Sequence, residues 1–511
     1  MPESYRSLII ILAGSLFVFR VQRSTLAPLF QPSQYTLFRN LWISLSALAF
    51  VSGSFWVFVA GATMAVWFAS RRSNWPAAMF PGLILCLPPY GLDIPGFGLI
   101  NFLFTLNVPR LVALLILLPV ALVLLRSGAR ATRVQWPDRF FSCYLLLQIA
   151  LTLRSDSLTS SMRAMFYVIL DFGLPYFVMS RALVSLAAIR QALGAIILAG
   201  AVLAALAAVE FSKSWLLYLS LGTSWGLPNP VSSYLMRDGL LRVRATAGHA
   251  IALGFVMAMA LSALLAVWPA LHRTGRRLTA FLLLCGIVVP LSRGPWLGAL
   301  AAIAVYLATG PAAVKRLAVL AAVLGGAFGA AALLPGGSRV IGMLPFVGDT
   351  DRGSIDYRQL LLDVSLRLIA EDPLLGPPDY RARLAAAGLV QGEGIVDVVN
   401  SYLGIALESG VTGLLLFAGF FISVALGLRT SIRRAPAAGA EDPQALAGMG
   451  RALLGGVAAT MVIIATVSSV TVIPWLYWSF AGLCVAYTRV VEASAARGWK
   501  ASVQPAMVRT S

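Results

Sequence analysis

Charge is scarce in this chain, and acidic charge is scarcest. Of 511 residues 12% are charged, 20 of them Asp or Glu against 39 Lys or Arg. A soluble domain of this length would carry about twice that charged fraction, so a water-facing globule is excluded. Histidine is nearly missing, with 2 in the whole chain, which argues against a conventional His-rich metal site. The four cysteines, Cys86, Cys143, Cys285 and Cys484, are scattered within apolar segments. No two have metal-ligand or redox spacing, so they read as small core hydrophobes. A nucleotide-binding glycine loop, a Ser-His-Asp arrangement and a DxD-type metal motif are also missing. That argues against an ATP-driven pump, and neither metal nor cofactor is expected.

What is present is apolar. Hydrophobic residues make up 59% of the chain, and mean hydropathy is +0.85. The runs 41–70, 250–270, 401–428 and 453–473 meet or exceed the roughly 20 residues a helix needs to cross hydrocarbon. A spanning backbone must satisfy its own hydrogen bonds, and long apolar runs without alternation choose helices over a barrel. The expected fold is all-α, a polytopic transmembrane bundle of about 12–14 spans, with residues 1–511 as one integral membrane domain. Expected spans are 7–24, 41–69, 77–91, 110–125, 139–153, 164–180, 186–209, 249–269, 278–291, 295–310, 316–334, 401–428, 450–471 and 474–489. The first run lacks a clear cleavage site and reads as a retained span.

The formal charge of +19 has a plain explanation in a membrane protein, because cytoplasmic loops collect Lys and Arg. No RNA-stacking motif sits near the basic clusters, so nucleic acid is not an expected partner. Arg71-Arg72, Arg126/Arg130/Arg133, Arg273/Arg276/Arg277, Lys315-Arg316, Arg429/Arg433/Arg434 and Arg497/Lys500 are taken as cytoplasmic. Both termini then fall inside, and residues 335–400 form one large extracytoplasmic loop. Within it Leu360, Leu361, Val364 and Leu368 recur at helical spacing. Ser354 is the expected cap, and Asp372-Pro373 the stop. Arginines also land outside: Arg242 and Arg244, then Arg293, then Arg339, Arg352, Arg358, Arg367, Arg381 and Arg383, with Arg39, Arg154 and Arg163. A bound anion is a natural reason for such a set.

Three short elements carry the candidate chemistry. Ser292-Arg293-Gly294-Pro295-Trp296 opens a span from the outside, with Gly294 as cap and Pro295 at the first helical position. Free backbone donors, a helix dipole and a guanidinium there suit a phosphate. The plainer reading is a snorkelling arginine. Arg242-Val243-Arg244 leads to His249, where the alternatives are anion binding or interfacial anchoring with a helix-terminal histidine. Asp397-Val398-Val399-Asn400-Ser401-Tyr402 opens a later span, followed by Glu408-Ser409-Gly410 and Gly413. Asn400 and Tyr402 can bond sugar hydroxyls or can cap and pack. Glu408 lies about two turns in and needs a partner, as does Asp171 in another span.

Together these elements resemble the O-antigen ligase and Wzy-type O-antigen polymerase superfamily of bacterial surface-polysaccharide assembly. The matching residues are Arg242/Arg244 to Gly248-His249, Ser292-Arg293-Gly294, Asn400-Ser401-Tyr402-Leu403, and Glu408-Ser409-Gly410-Val411-Thr412-Gly413. Tyr357-Arg358 through Asp372-Pro373-Leu374-Leu375-Gly376 also resembles the family's loop helix and exit. The resemblance runs from about Arg242 to Leu428. It implies a multi-pass bacterial inner-membrane enzyme, a metal-independent inverting glycosyltransferase with its active site facing the periplasm. The implied partners are an undecaprenyl-diphosphate-linked oligosaccharide, membrane lipids and polysaccharide-assembly proteins such as a chain-length regulator. Arg293, Glu408, Asp397 and His249 are the implied catalytic candidates. Arg242, Arg244, Arg358, Asn400 and Tyr402 are the binding candidates. The family histidine before Asn-x-Tyr-Leu is Val399 here, which leaves the base open among Asp397, Glu408 and His249. It also favours polymerase over ligase. A transporter of the same lipid-linked sugar is the reading from another class, but no internal repeat supports it.

Overall fold

The computed structural model describes residues 2–98, 100–127, 134–227, 234–333, 342, 352–390, 396–438 and 442–503. Arg130, Arg133, Arg339 and the Pro-Gly-Gly turn at 335–337 lie outside that set.

The architecture is helical, as the apolar runs require. The helices are α1 (Glu3–Leu26), α2 (Pro32–Val51), α3 (Phe55–Arg72), α4 (Pro76–Leu83), α5 (Val108–Arg126), α6 (Trp136–Thr152), α7 (Leu158–Ala182) and α8 (Leu186–Lys213). They continue as α9 (Leu219–Ser224), α10 (Ala250–Val267), α11 (Arg273–Val288), α12 (Arg293–Ala308), α13 (Ala313–Leu333), α14 (Arg352–Glu371), α15 (Tyr380–Ala386), α16 (Ser401–Arg434), α17 (Pro443–Thr466) and α18 (Ile473–Val503). Among the described residues eight helical stretches are long and apolar enough to cross a membrane. Two small antiparallel hairpins, β1 (Gly91–Pro95) with β2 (Phe102–Asn107) and β3 (Met236–Arg237) with β4 (Leu240–Leu241), are the sheet found among the described residues.

α8 and α10 lie in the middle, buried nearly all round, which is why their sequences are apolar on every face. Hydrogen bonds between distant segments define two ends. At one, Trp215 Nε1 donates to Glu3 Oε1 (2.7 Å), Tyr90 donates to the Tyr218 carbonyl (3.2 Å), and Thr471 donates to the Ala247 carbonyl (3.0 Å). At the other, Thr279 donates to Gln22 Oε1 (2.9 Å), Gln34 to the Arg72 carbonyl (3.2 Å), and Arg434 pairs with Glu492 (3.3 Å). The second is the basic end, where Arg71-Arg72, Arg276 and Arg434 gather. The first is the loop end.

The expected span 41–69 is instead a hairpin. α2 stops at Val51, and Gly53 turns the chain with φ 58° before α3 starts. An apolar run does not reveal its own fold-back when the turn is as short as Ser-Gly-Ser. This fold-back changes the parity. The head of α1 stands at the loop end and the tail of α18 at the basic end, so the two termini do not share one side as expected. The same change moves Arg39, in the first half of α2, toward the basic end. The expected span 77–91 leaves the helix after Leu83, just past Pro81, and continues through Pro88-Pro89.

The amphipathic loop helix is present as α14. Leu361 and Leu368 are buried with Leu384, Leu389 and Leu407, and Val364 packs beside them, while Leu360 turns outward. α14 begins at Arg352, so Ser354 lies inside it and not at its cap. Its end at Glu371, before Asp372-Pro373, is as expected.

Candidate functional site

Glu210, near the tail of α8, organises the first element from below. It is 1% exposed. Oε1 accepts from the Leu217 amide (3.0 Å), and Oε2 from those of Arg244 (3.2 Å) and Ala245 (2.9 Å). Those three bonds hold the turn that presents Arg242 and Arg244, a turn strained enough to place Ala245 at φ 44°. His249 caps α10, its Nδ1 accepting from the Ile251 amide (3.2 Å). A neutral imidazole that accepts at Nδ1 carries its proton on Nε2. His249 is therefore set up as a hydrogen-bond donor and not as a base. Burial, reinforced by Arg242 and Arg244, pushes its pKa down to about 4, which keeps it neutral at pH 7.

The second element meets the first through Arg237, a residue that sequence reading missed. The β3–β4 hairpin carries Arg237 across to Leu291, whose carbonyl accepts from its guanidinium (2.6 Å). Arg293 follows two residues later, at the head of α12, and donates to the Gly342 carbonyl (3.0 Å). The cap of α12 is Ser292, not Gly294, so Pro295 sits at the third helical position, where its missing N–H is still one of the unpaired four. Gly294 is needed for a different reason: a Cβ there would lie 2.3 Å from Thr466 Oγ1.

The arginines feel one another. Arg237 is held below its ordinary pKa by burial first, then by Arg293, with Arg358 adding to it and Asp238 opposing. Arg242 is pushed down to about 10 by burial and by Arg237. Arg237 thus lies within electrostatic reach of Arg242, Arg293 and Arg358, and Arg242 and Arg244 both lie within reach of His249. Among the described residues no carboxylate stands within ion-pair distance of Arg237, Arg242 or Arg244, and the buried Nε of Arg242 has no hydrogen-bond partner. Other arginines expected outside do structural work. Arg154 donates to the carbonyls of Leu375 (3.1 Å) and Gly376 (2.8 Å), Arg163 to that of Phe102 (2.6 Å), and Arg383 pairs with Glu371 (2.7 Å).

The third element is tied in by the 467–472 segment between α17 and α18, most of which was expected to lie inside the span 450–471. Ser468 donates to Asp397 Oδ1, and Ser401 donates to the Val467 carbonyl (2.9 Å). Thr471 reaches Ala247, and Thr466 meets Gly294. Asp397 thus shares one support with both arginine-bearing turns. Tyr357 of α14 donates to its carbonyl (2.9 Å). Asn400 and Tyr402 follow the plainer reading. Asn400 Oδ1 caps α16, accepting from the amides of Tyr402 (3.0 Å) and Leu403 (3.3 Å), and the Tyr402 hydroxyl donates to the Met461 carbonyl (3.0 Å).

Glu408 sits apart from the cluster, at a break in α16. Gly410 has φ 66° and ψ −173°, a conformation nearly reserved for glycine. Into that break docks the turn Pro373–Gly376, with the Val411 amide donating to the Pro373 carbonyl (2.8 Å). A Cβ on Gly410 would lie 2.3 Å from the Leu374 backbone, and one on Gly376 would lie 2.3 Å from the Leu407 carbonyl. The two glycine motifs are halves of one joint. Beyond that turn, Tyr380 and Arg381 lie within electrostatic reach of Glu408. The Tyr380 hydroxyl is raised by burial first and by that carboxylate second. Glu408 is exposed on the protein surface, and Tyr144, Tyr380, Tyr477 and Arg381 all lie within electrostatic reach of it. The expected partner of Glu408 is present as Arg381, but not as a closed ion pair.

Residues 278–418 match the family described as O-antigen ligase. That segment is an O-antigen ligase family domain. It runs from α11 to the middle of α16 and contains Arg293, Arg358, Asp397, Asn400, Tyr402 and Glu408, so the resemblance drawn from short motifs holds there. Its type is broadly that of the ligases and polymerases. Arg237, Arg242, Arg244, His249 and Glu210 precede the matched domain and join it only through tertiary contacts. A comparison with curated proteins finds no match.

Asp171 is accounted for: Arg110 forks onto it, Nε to Oδ1 (3.0 Å) and a terminal nitrogen to Oδ2 (2.7 Å). A cavity of about 260 Å³ adjoins Arg244. A larger one, about 650 Å³, opens at the basic end beside Arg139 and Arg434, away from the arginine cluster.

Proposed function

We propose that this protein is a polymerase-type glycosyltransferase that extends undecaprenyl-diphosphate-linked oligosaccharide repeats into a surface or exopolysaccharide. The observation that carries the reading is the set of loop-end arginines linked through Arg237 and His249, namely Arg237, Arg242, Arg244, Arg293 and Arg358; among the described residues no carboxylate forms an ion pair with Arg237, Arg242 or Arg244. Partly buried guanidinium groups within electrostatic reach of one another suit an anion, and a diphosphate accepts planar bidentate forks. The positive-inside rule assigns the opposite, basic end to the cytoplasm, so the cluster faces the periplasm, as a lipid-linked donor delivered to that side requires.

In the reaction an acceptor hydroxyl oxygen attacks the anomeric carbon of the donor sugar. The bond from that carbon to the diphosphate oxygen breaks, the diphosphate leaves with the bonding pair, and a base takes the hydroxyl proton. Charge growing on the leaving diphosphate is stabilised by fixed guanidinium groups, the role a divalent cation plays elsewhere. Asp397 is the base this reading favours, because its supporting segment also contacts Gly294 and Ala247, whereas Glu408 lies two turns deeper beside Arg381. His249, with Nδ1 occupied, donates from Nε2 to the anion.

A ligase moving finished glycan to a lipid or protein acceptor is the second reading, disfavoured by Val399 at the position of the family histidine. A transporter of the lipid-linked sugar is the reading from another class. The test is reconstitution in liposomes with lipid-linked repeats and no other acceptor. A ladder of lengthening products is the expected result, and Arg293→Ala abolishes it while still inserting. Unchanged donor with the intact protein refutes the polymerase, and a ladder from Arg293→Ala removes that arginine from the mechanism.

A further inference from the structure

The cavity of about 260 Å³ next to Arg244 is not explained by anion chemistry. Its apolar walls include the rings of Tyr90 and Trp475 and the face of Pro89, and its polar groups are Asn107, Glu210 and Arg244. Flat apolar faces with a few fixed polar groups are what a pyranose ring needs: its C–H faces pack on rings, and its hydroxyl edges bond the polar atoms. A prenyl tail has no use for a carboxylate and an amide in its pocket. The volume is below the ~300–1,000 Å³ of pockets that enclose drug-sized ligands, which suits one sugar ring and not a whole repeat.

Two details sharpen the fit. Glu210 is fixed by its three backbone amides, and its Oε1 accepts only one of them, so acceptor capacity remains for a hydroxyl. Tyr218, 3% exposed and also part of the wall, has a hydroxyl without a hydrogen-bond partner among the described residues. Arg244 belongs to both the cavity and the arginine cluster, so a ring seated here has its anomeric end toward the diphosphate.

We infer that this cavity holds the first sugar of the lipid-linked donor, the ring bonded directly to the diphosphate, an inference that rests on the proposed function. The seat distinguishes glycosylated donor from the bare undecaprenyl diphosphate left after transfer, and so favours release of product.

The test uses the full chain in nanodiscs and two probes: bare undecaprenyl diphosphate, and the same lipid carrying the host's own repeat. The intact protein prefers the glycosylated probe by about tenfold, the size of one good ring-packing contact. Tyr90→Ala removes that preference and leaves bare-lipid affinity unchanged, while Tyr90→Phe, which keeps the ring, retains it. Arg242→Ala weakens both probes together. Equal binding of the two probes by the intact protein, equal weakening of both by Tyr90→Ala, or loss of the preference in Tyr90→Phe overturns the sugar seat alone. Failure of bare undecaprenyl diphosphate to bind, with the glycosylated probe still preferred, overturns the diphosphate reading and leaves the seat standing. No binding of either overturns both.

Discussion

Replacing Gly410 by alanine tests whether the broken helix and the docked loop are one device. The backbone at Gly410, φ 66° and ψ −173°, costs a residue with a Cβ roughly 1–3 kcal/mol. Its new Cβ would also sit 2.3 Å from the carbonyl carbon and oxygen of Leu374, backbone atoms that cannot swing away. The Pro373–Gly376 turn must therefore leave the break, losing the Val411-to-Pro373 bond and the approach of Tyr380 and Arg381 to Glu408. Gly404, one and a half turns earlier in the same helix, is the control. A Cβ there meets nothing nearer than Val398 Cγ1 at 3.8 Å, and alanine stabilises a helix interior by up to about 1 kcal/mol relative to glycine. Thermal unfolding in detergent and protease cleavage of the loop are the assays. Gly410→Ala unfolds at lower temperature and is cut faster after α14, while Gly404→Ala is neutral or stabilising. Intact melting and an unchanged cleavage pattern in Gly410→Ala would refute the joint.

Other outcomes follow from the same geometry. His249→Asn keeps an acceptor for the Ile251 amide and a donor for the anion, so it retains transfer within a few-fold, whereas His249→Ala loses about 1 kcal/mol of capping; abolition by His249→Asn would restore the imidazole as base. The pH dependence has a definite sign. His249 titrates near 4 when folded and near 6.5 when unfolded, so only the unfolded chain takes up this proton between those values. The intact protein thus loses stability relative to His249→Asn as pH falls from about 6.5 to 4, and the two run parallel above that window; a constant gap across the range would contradict it. Asp171→Asn leaves Arg110 without its carboxylate in a partly buried site and costs roughly 3–5 kcal/mol, while an apolar pair at both positions recovers most of it, measured by melting of the two variants.

The legible part of the protein was what periodicity and composition carry locally. Apolar runs longer than a bilayer is thick identify helices wherever they pack, and the placement of Arg71-Arg72 or Arg434 follows from charge alone. α14 was readable because its leucines repeat at the helical period. The Ser292-Arg293-Gly294 and Glu408-Ser409-Gly410 motifs were visible as strings, but their physical reasons were not. Gly294 is small because Thr466 comes close, and Gly410 because a turn 35 residues earlier inserts beside it. Neither neighbour is near in sequence.

What only the tertiary structure decided is everything that depends on parity, on bridging contacts and on which lone pairs are already used. The α2–α3 turn is three small residues inside an apolar run, too short to break the hydropathy pattern, yet it reverses the side on which α1 begins. Arg237 and Glu210 carry no motif, and they matter only because one reaches Leu291 and the other collects three backbone amides. His249 was a candidate base until its Nδ1 was found holding the Ile251 amide. Residue types set which chemistry is possible in this chain, but contacts between distant segments determine which atoms remain free to do it.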